Sequence, residues 1–237
     1  MTQLTLDLLQ PLQPSLENFV AGRNAEALEA LRSLAQGRLD ERNIYLWGVQ
    51  GSGRSHLLAA LRARANAFRW SPGLPPEKPG IALVDDVELC DAAAQIALFN
   101  RLNAVRAEAD CACVAAGAAA PALLALREDL RTRLAWGYVY QLHPLSDDEK
   151  SAALLAHAAS RGVRFDSEVI AFLLVQLPRD MRTLVAALDA LDAWALARKR
   201  ALTLGLAREW LVSAQAARSA RPAEPGGGPT GPATGRT

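Results

Sequence analysis

The chain has 237 residues, 51% of them apolar, and a formal net charge of +1 from 26 Lys and Arg against 25 Asp and Glu. That length suits one domain of about 150 residues plus a smaller second one, and near-neutrality excludes a strongly basic nucleic-acid domain, leaving a local patch for any DNA contact. No apolar run approaches the ~20 residues of a membrane span, and three cysteines (Cys90, Cys111, Cys113) without a signal peptide point to a reducing cytosol.

Residues 1–14 form no domain of their own. Gln3-Leu4-Thr5-Leu6-Asp7-Leu8 alternates Leu4, Leu6 and Leu8 on one side, and Pro11 and Pro14 block a helix. Two readings stay open: a peptide whose leucines enter an apolar pocket of a partner, or a short edge strand on its own domain. Asn24 is placed as the N-cap of a helix through Leu28, Leu31 and Leu34 that ends at Gly37.

Ile44-Tyr45-Leu46-Trp47 is a short apolar run of the kind a buried parallel strand needs. It leads into Gly48-Val49-Gln50-Gly51-Ser52-Gly53-Arg54-Ser55-His56, which has the phosphate-loop spacing with Arg54 in place of lysine. The residues after Ser55 are helix formers. Strand, glycine turn and helix in that order make a nucleotide site. Glycines 48, 51 and 53 let backbone N–H groups approach phosphates, and the helix N-terminus favours an anion. Arg54 keeps the charge but offers a planar fork, and Ser55 is placed as a Mg²⁺ ligand. A glycine-rich turn that binds nothing is the plain alternative.

Residues 66–80 carry four prolines and only one strand candidate, Phe68-Arg69-Trp70. An apolar strand follows and ends in Asp85-Asp86. Asp85 stands where open α/β sheets bind ligands, placed to hold Mg²⁺ through water, and Asp86 to orient an attacking water. The next helix, over about 92–109, is expected to bury Ile96, Phe99, Leu102 and Val105. Cys111-Ala112-Cys113-Val114 reads as a core strand, so its thiols are inert rather than metal ligands. Helical segments are expected near 121–126 and 128–134, a last strand at 138–142, and a capping box at Ser146-Asp147-Asp148-Glu149. Helices over roughly 147–162, 167–177, 180–200 and 206–216 follow. The Gly/Pro/Thr-rich stretch 217–237 is expected to be disordered.

Several of these segments resemble one family. Residues 51–58, Asp129-Leu130-Arg131-Thr132-Arg133-Leu134-Ala135-Trp136-Gly137, Leu145-Ser146-Asp147-Asp148-Glu149-Lys150 and Arg179-Asp180-Met181-Arg182-Thr183-Leu184 occur in the order of the DnaA-related AAA+ proteins, most narrowly the Hda family of regulatory inactivators. The resemblance implies a P-loop parallel sheet flanked by helices (residues 15–145), an all-helical lid (146–216) and an N-terminal clamp-binding peptide (1–14). It implies that Gly48, Gly51, Ser52, Gly53, Arg54, Ser55, His56 and Arg182, the last as sensor arginine, bind ADP or ATP, with Mg²⁺ through Ser55 and Asp85. It makes Arg133 a trans-acting arginine finger, and Gln3, Leu4, Leu6 and Leu8 the contact with the DNA polymerase III sliding clamp, the beta subunit.

The implied activity is negative regulation of replication initiation. With the DNA-loaded clamp, such a protein stimulates hydrolysis of DnaA-bound ATP, touching DNA only through the clamp. Two departures stand out. Ala118 replaces the polar sensor-1 residue, and the eroded segment 66–80 is expected to shorten the sheet; in addition, no base-reading helix follows Leu211. A self-sufficient ATPase or helicase-loader-like protein, an adaptor with a vestigial site, and assembly as a homo-oligomer remain as alternatives.

Overall fold

The computed structural model describes residues 13–64 and 66–219. Gln3, Leu4, Leu6 and Leu8, and the stretch from residue 220 onward, lie outside the described residues. Five strands, β1 (Asn43–Trp47), β2 (Ala67–Arg69), β3 (Gly80–Val84), β4 (Cys111–Gly117) and β5 (Tyr138–Gln141), form one sheet in the order β2-β3-β4-β1-β5. Every pairing is parallel.

The sheet is covered on both faces, and strand periodicity sorts its side chains. Ile44, Leu46, Ile81, Leu83, Ala112, Val114 and Ala116 point to one face. There they meet leucines of α1 (Ala25–Ala35) and α2 (Arg54–Arg62). Tyr45, Ala82, Val84, Cys111, Cys113 and Ala115 point to the other, against α3 (Ala92–Ala107) and α4 (Glu128–Leu134). Burial on both faces explains why these strands read as continuous apolar runs rather than alternating ones. The remaining helices, α5 (Asp147–Ser160), α6 (Ser167–Gln176), α7 (Met181–Arg198) and α8 (Leu204–Ser219), pack around a second core that includes Leu173, Leu188, Trp194 and Trp210. The Ser146 capping box is present in full, its hydroxyl accepting from the Glu149 N–H and the Glu149 carboxylate from the Ser146 N–H.

Three local expectations differ from the structure, and a fourth, the strand candidate near Phe68, is met. Ile96 is 47% exposed, and α3 buries Ala94, Leu98, Arg101, Leu102 and Val105 instead, a stripe rotated by the packing of α3 against β4 and α4. Asn24 precedes α1 but does not cap it. Its amide is buried and exchanges two 2.8 Å hydrogen bonds with the backbone of His143, tying the start of α1 to the chain after β5. The segment after Pro121 forms a single 3-10 turn, Pro121–Leu123. The proline-rich stretch does keep a strand, though β2 covers only three residues beside β3, with Trp70 N–H donating to the Leu83 carbonyl at 2.9 Å.

What holds that stretch is Arg101, 1% exposed in the middle of an amphipathic helix. Its guanidinium donates to the carbonyls of Pro76 (2.8 Å), Gly80 (2.7 Å) and Ala112 (2.8 Å), and also to that of Lys78. A buried charge persists only when its donors are used in this way. Replacing it strands several buried carbonyls. Arg101→Met should therefore cost about 2–4 kcal/mol of stability, read as a lower urea midpoint. An unchanged midpoint would show that the prolines hold the loop without it.

Candidate functional site

β1 ends at Trp47, and the chain turns through residues 48–53 into α2. Gly51 (φ 83°) and Gly53 (φ 100°) take left-handed conformations that most residues avoid. Gly53 is doubly constrained, because a Cβ there would lie 2.6 Å from the Phe19 ring. Gly48 is buried beneath the loop, where a Cβ would strike the Leu142 carbonyl.

Two polar atoms in this turn have no partner. The Ser52 hydroxyl is buried without a hydrogen bond, and so is Nη1 of Arg54, which lies 3.6 Å from Asp86 Oδ1. Buried donors left open in this way are costly unless a ligand completes them. Both residues line a cavity of about 230 Å³, bounded by Gln50, Gly51, Ser52, Gly53, Arg54, Ser55 and His56 on one side. Asn18, Phe19 and Val20 from the segment before α1, together with Lys150, Met181 and Arg182 of the C-terminal helices, line the other. A second cavity of about 220 Å³ shares Phe19, His56 and Arg182 with the first and extends to His157 and Val185. A phosphate chain fits the first by its donors. Backbone N–H groups at the start of α2, the Arg54 fork and the Arg182 charge all offer hydrogen bonds to an anion.

His56 fastens the entry segment. Its Nε2 lies 3.2 Å from the Ser15 carbonyl, and its ring is tilted against Phe19 at 5.4 Å between centroids. Burial pushes the imidazole below its ordinary range and the Arg182 charge adds to this, while the bond to Ser15 opposes both. The neutral ring is thus the favoured form at neutral pH.

Asp85 and Asp86 follow β3, as the sequence indicates, but neither lines the cavity. Asp86 connects to it only through Arg54. It sits at φ 48°, and Asp85 Oδ1 accepts its N–H at 3.1 Å. Burial pushes its carboxyl above the usual carboxylate range, the Asp85 charge adds to the rise, and Arg54 offsets part of it. Ala118 follows β4, and its N–H donates to Glu88 Oε1 at 3.1 Å, while Glu88 Oε2 is buried without a partner. Tyr45 donates its phenol proton to the Ala119 carbonyl at 2.8 Å, and burial raises its pKa strongly, with the Glu88 charge contributing.

Arg133 lies elsewhere. Its own carbonyl accepts from Asn43 Nδ2 at 3.0 Å, at the N-terminal end of β1, whereas the phosphate loop leaves the C-terminal end. Five residues of strand put roughly 16 Å between those ends. The Arg133 guanidinium carbon is 3.4 Å from the Trp136 ring centroid and 5.2 Å from that of Phe99. The structure thus brings residues 51–56 and Arg182 together, hangs Asp86 on Arg54, and holds Arg133 apart. Sequence reasoning missed Phe19, Lys150 and Glu88. The close approach of Phe19 to Gly53 left no local signal, while Glu88 stood three residues past a recognised carboxylate.

Comparison with known proteins places this geometry. Residues 147–211 match the family model described as Hda, lid domain. Domain III of the Thermotoga maritima replication initiation protein DnaA shares 20% identity at a TM-score of 0.61, over 85% of this chain and 97% of that one. DnaA from Aquifex aeolicus, solved with AMPPCP bound, shares 20% at a TM-score of 0.62, over 76% and 65%. The Thermotoga maritima RuvB Holliday junction branch migration motor shares 14% at 0.58, over 85% and 72%. At such identities the solved structures speak for the fold alone, a parallel sheet followed by a helical lid, and the family match speaks for residues 147–211. The chain thus has the fold of these structures, and its residues 147–211 match a lid domain of the Hda type.

Proposed function

We propose that this protein binds ADP or ATP and, when held on DNA by the sliding clamp, stimulates hydrolysis of the ATP carried by DnaA. It would thereby restrain replication initiation. The nucleotide's phosphates would take the backbone N–H groups of residues 51–55. Arg54 would turn from Asp86 to a phosphate oxygen, and Arg182 would close from the lid. Ser55, which lines the cavity, would hold Mg²⁺ directly, and Asp85, which does not, would reach it through water; the ion would neutralise phosphate charge. The entry segment bearing Phe19 and the lid bearing Arg182 would then meet through the ligand.

One observation carries the trans assignment. The Arg133 backbone is tied to the end of β1 remote from the phosphate loop, which supports a role for its charge at a site on another molecule. An arginine delivered in this way stabilises charge on the transferring phosphoryl group, worth about 10³–10⁵ in rate where such residues have been tested. Ala118 has no side-chain group to position water in the chain's own site. A self-sufficient ATPase draws support from one feature, the unpartnered Glu88 oxygen beside Ala118. Turnover by the purified chain alone distinguishes the two: trans action predicts slow turnover that Glu88→Gln leaves slow.

Three outcomes follow from the trans reading. Arg54→Ala should weaken ADP binding by about 1.5–3 kcal/mol and shrink the thermal shift that ADP produces. No shift in the wild type at millimolar ADP would instead mark a vestigial site. Replacing Gln3 and Leu4 with alanine should abolish clamp binding with an unchanged melting temperature, whereas retained clamp affinity removes the peptide from the account. Arg133→Ala should bind ADP and clamp normally yet leave DnaA-bound ATP at its unstimulated hydrolysis rate. Full stimulation by that variant refutes the trans-acting arginine.

A further inference from the structure

Phe99, Arg133, Trp136 and Arg106 form a chain of alternating aromatic and cationic groups at the end of the sheet opposite the phosphate loop. Besides the Arg133 contacts with Trp136 and Phe99, the Arg106 guanidinium carbon lies 4.6 Å from the Trp136 ring centroid. Phe99 and Arg106 come from α3, Arg133 from α4, and Trp136 from the turn before β5. Arg106, Arg133 and Trp136, together with Asp40, Glu41 and Arg42, border a cavity of about 420 Å³.

A guanidinium has two separable binding surfaces. Its faces stack on rings, and its edges donate hydrogen bonds. An ordinary surface arginine uses its edges on a neighbouring carboxylate. Arg133 does not. Among the described residues its guanidinium makes no hydrogen bond and no ion pair, although Asp40 and Glu41 border the same cavity, and its Nε is buried without a partner. The faces are occupied and the edges are unspent.

We propose that Trp136, steadied by Arg106, is a positioning residue that holds Arg133 by its face so that its edge stays open to a phosphate oxygen of a partner's nucleotide. This rests on the reading of Arg133 as a trans-acting arginine. A free arginine side chain samples many rotamers, and only the competent fraction assists a reaction at any moment. Stacking on a ring raises that fraction without engaging the guanidinium in an ion pair with a neighbouring carboxylate. The contribution is therefore to the rate within the assembled complex, and not to its assembly.

The test has a partner-free arm and a kinetic arm. In the protein alone, ring-current shielding should move the Arg133 Nε–Hε resonance upfield, and Trp136→Leu should remove most of that shift, leaving the smaller part due to Phe99. In stimulated hydrolysis of DnaA-bound ATP, Trp136→Leu should lower the maximal rate about tenfold, with the half-saturating concentration and ADP binding unchanged. Trp136→Phe, which keeps a ring, should recover most of the loss. Trp136 is 46% exposed, so the fold is not at stake, and retained ADP binding verifies this. An unshifted resonance overturns the proposal. So does a wild-type maximal rate in Trp136→Leu while Arg133→Ala is inactive, or a loss confined to half-saturation. If Arg133→Ala itself stimulates fully, the trans reading falls, and the resonance alone decides whether the stack holds the arginine.

Discussion

The arrangement depends on the polarity of one buried strand. β1 is flanked by β4 and β5, its side chains are packed on both faces, and its two ends carry different chemistry. At its C-terminal end the chain must turn sharply into α2, which aligns backbone donors with a helix N-terminus and produces an anion site. At its N-terminal end Asn43 ties down the last turn of α4 through the Arg133 carbonyl. Gly137 lies close by, where a Cβ would run into the Asn43 backbone, so α4 is pressed against that end. A rigid parallel sheet therefore fixes the distance between the end that carries the candidate phosphate loop and the end that carries Arg133. Neither end can act on the other within one molecule.

The second constraint is that the phosphate site is assembled from three separate parts of the chain. Only the loop between β1 and α2 belongs to the sheet. The entry segment reaches it through Phe19, pressed on Gly53, and through the His56 contact with Ser15. The lid contributes Lys150, Met181 and Arg182, but its core is its own. A nucleotide bound in the cavity would touch both and so add to the connection between lid and sheet. The unpartnered Ser52 hydroxyl and Arg54 Nη1 fit that picture, because donors held buried and open are costly in the empty state and favourable once a phosphate completes them.

The parts legible in the sequence are those whose physics is local. The glycine spacing of the phosphate loop, the apolar runs of β1, β3 and β4, and the Ser146 capping box each state their conformation within a few residues, and the structure has them all. The parts that were not legible are set by partners distant in sequence. Arg101 looks like a surface residue until the carbonyls of Pro76, Gly80 and Ala112 converge on it. Ile96 looks like core until the rotation of α3 is fixed by its contacts with β4 and α4. Asn24 has the chemistry of a helix cap and is spent on His143, 119 residues away. The same holds for Arg133, whose surroundings were named in the sequence but whose stacking on rings from two other elements was not.

The central claim is that the arginine of this chain acts on a nucleotide it does not hold. The direct measurement loads DnaA with γ-labelled ATP and this protein with unlabelled ADP, then follows release of labelled phosphate after adding DNA-loaded clamp. The account predicts that label leaves DnaA rapidly only when this protein and clamp are both present. Label that stays on DnaA under those conditions, with ATP turned over instead when it is supplied on this protein, would contradict it.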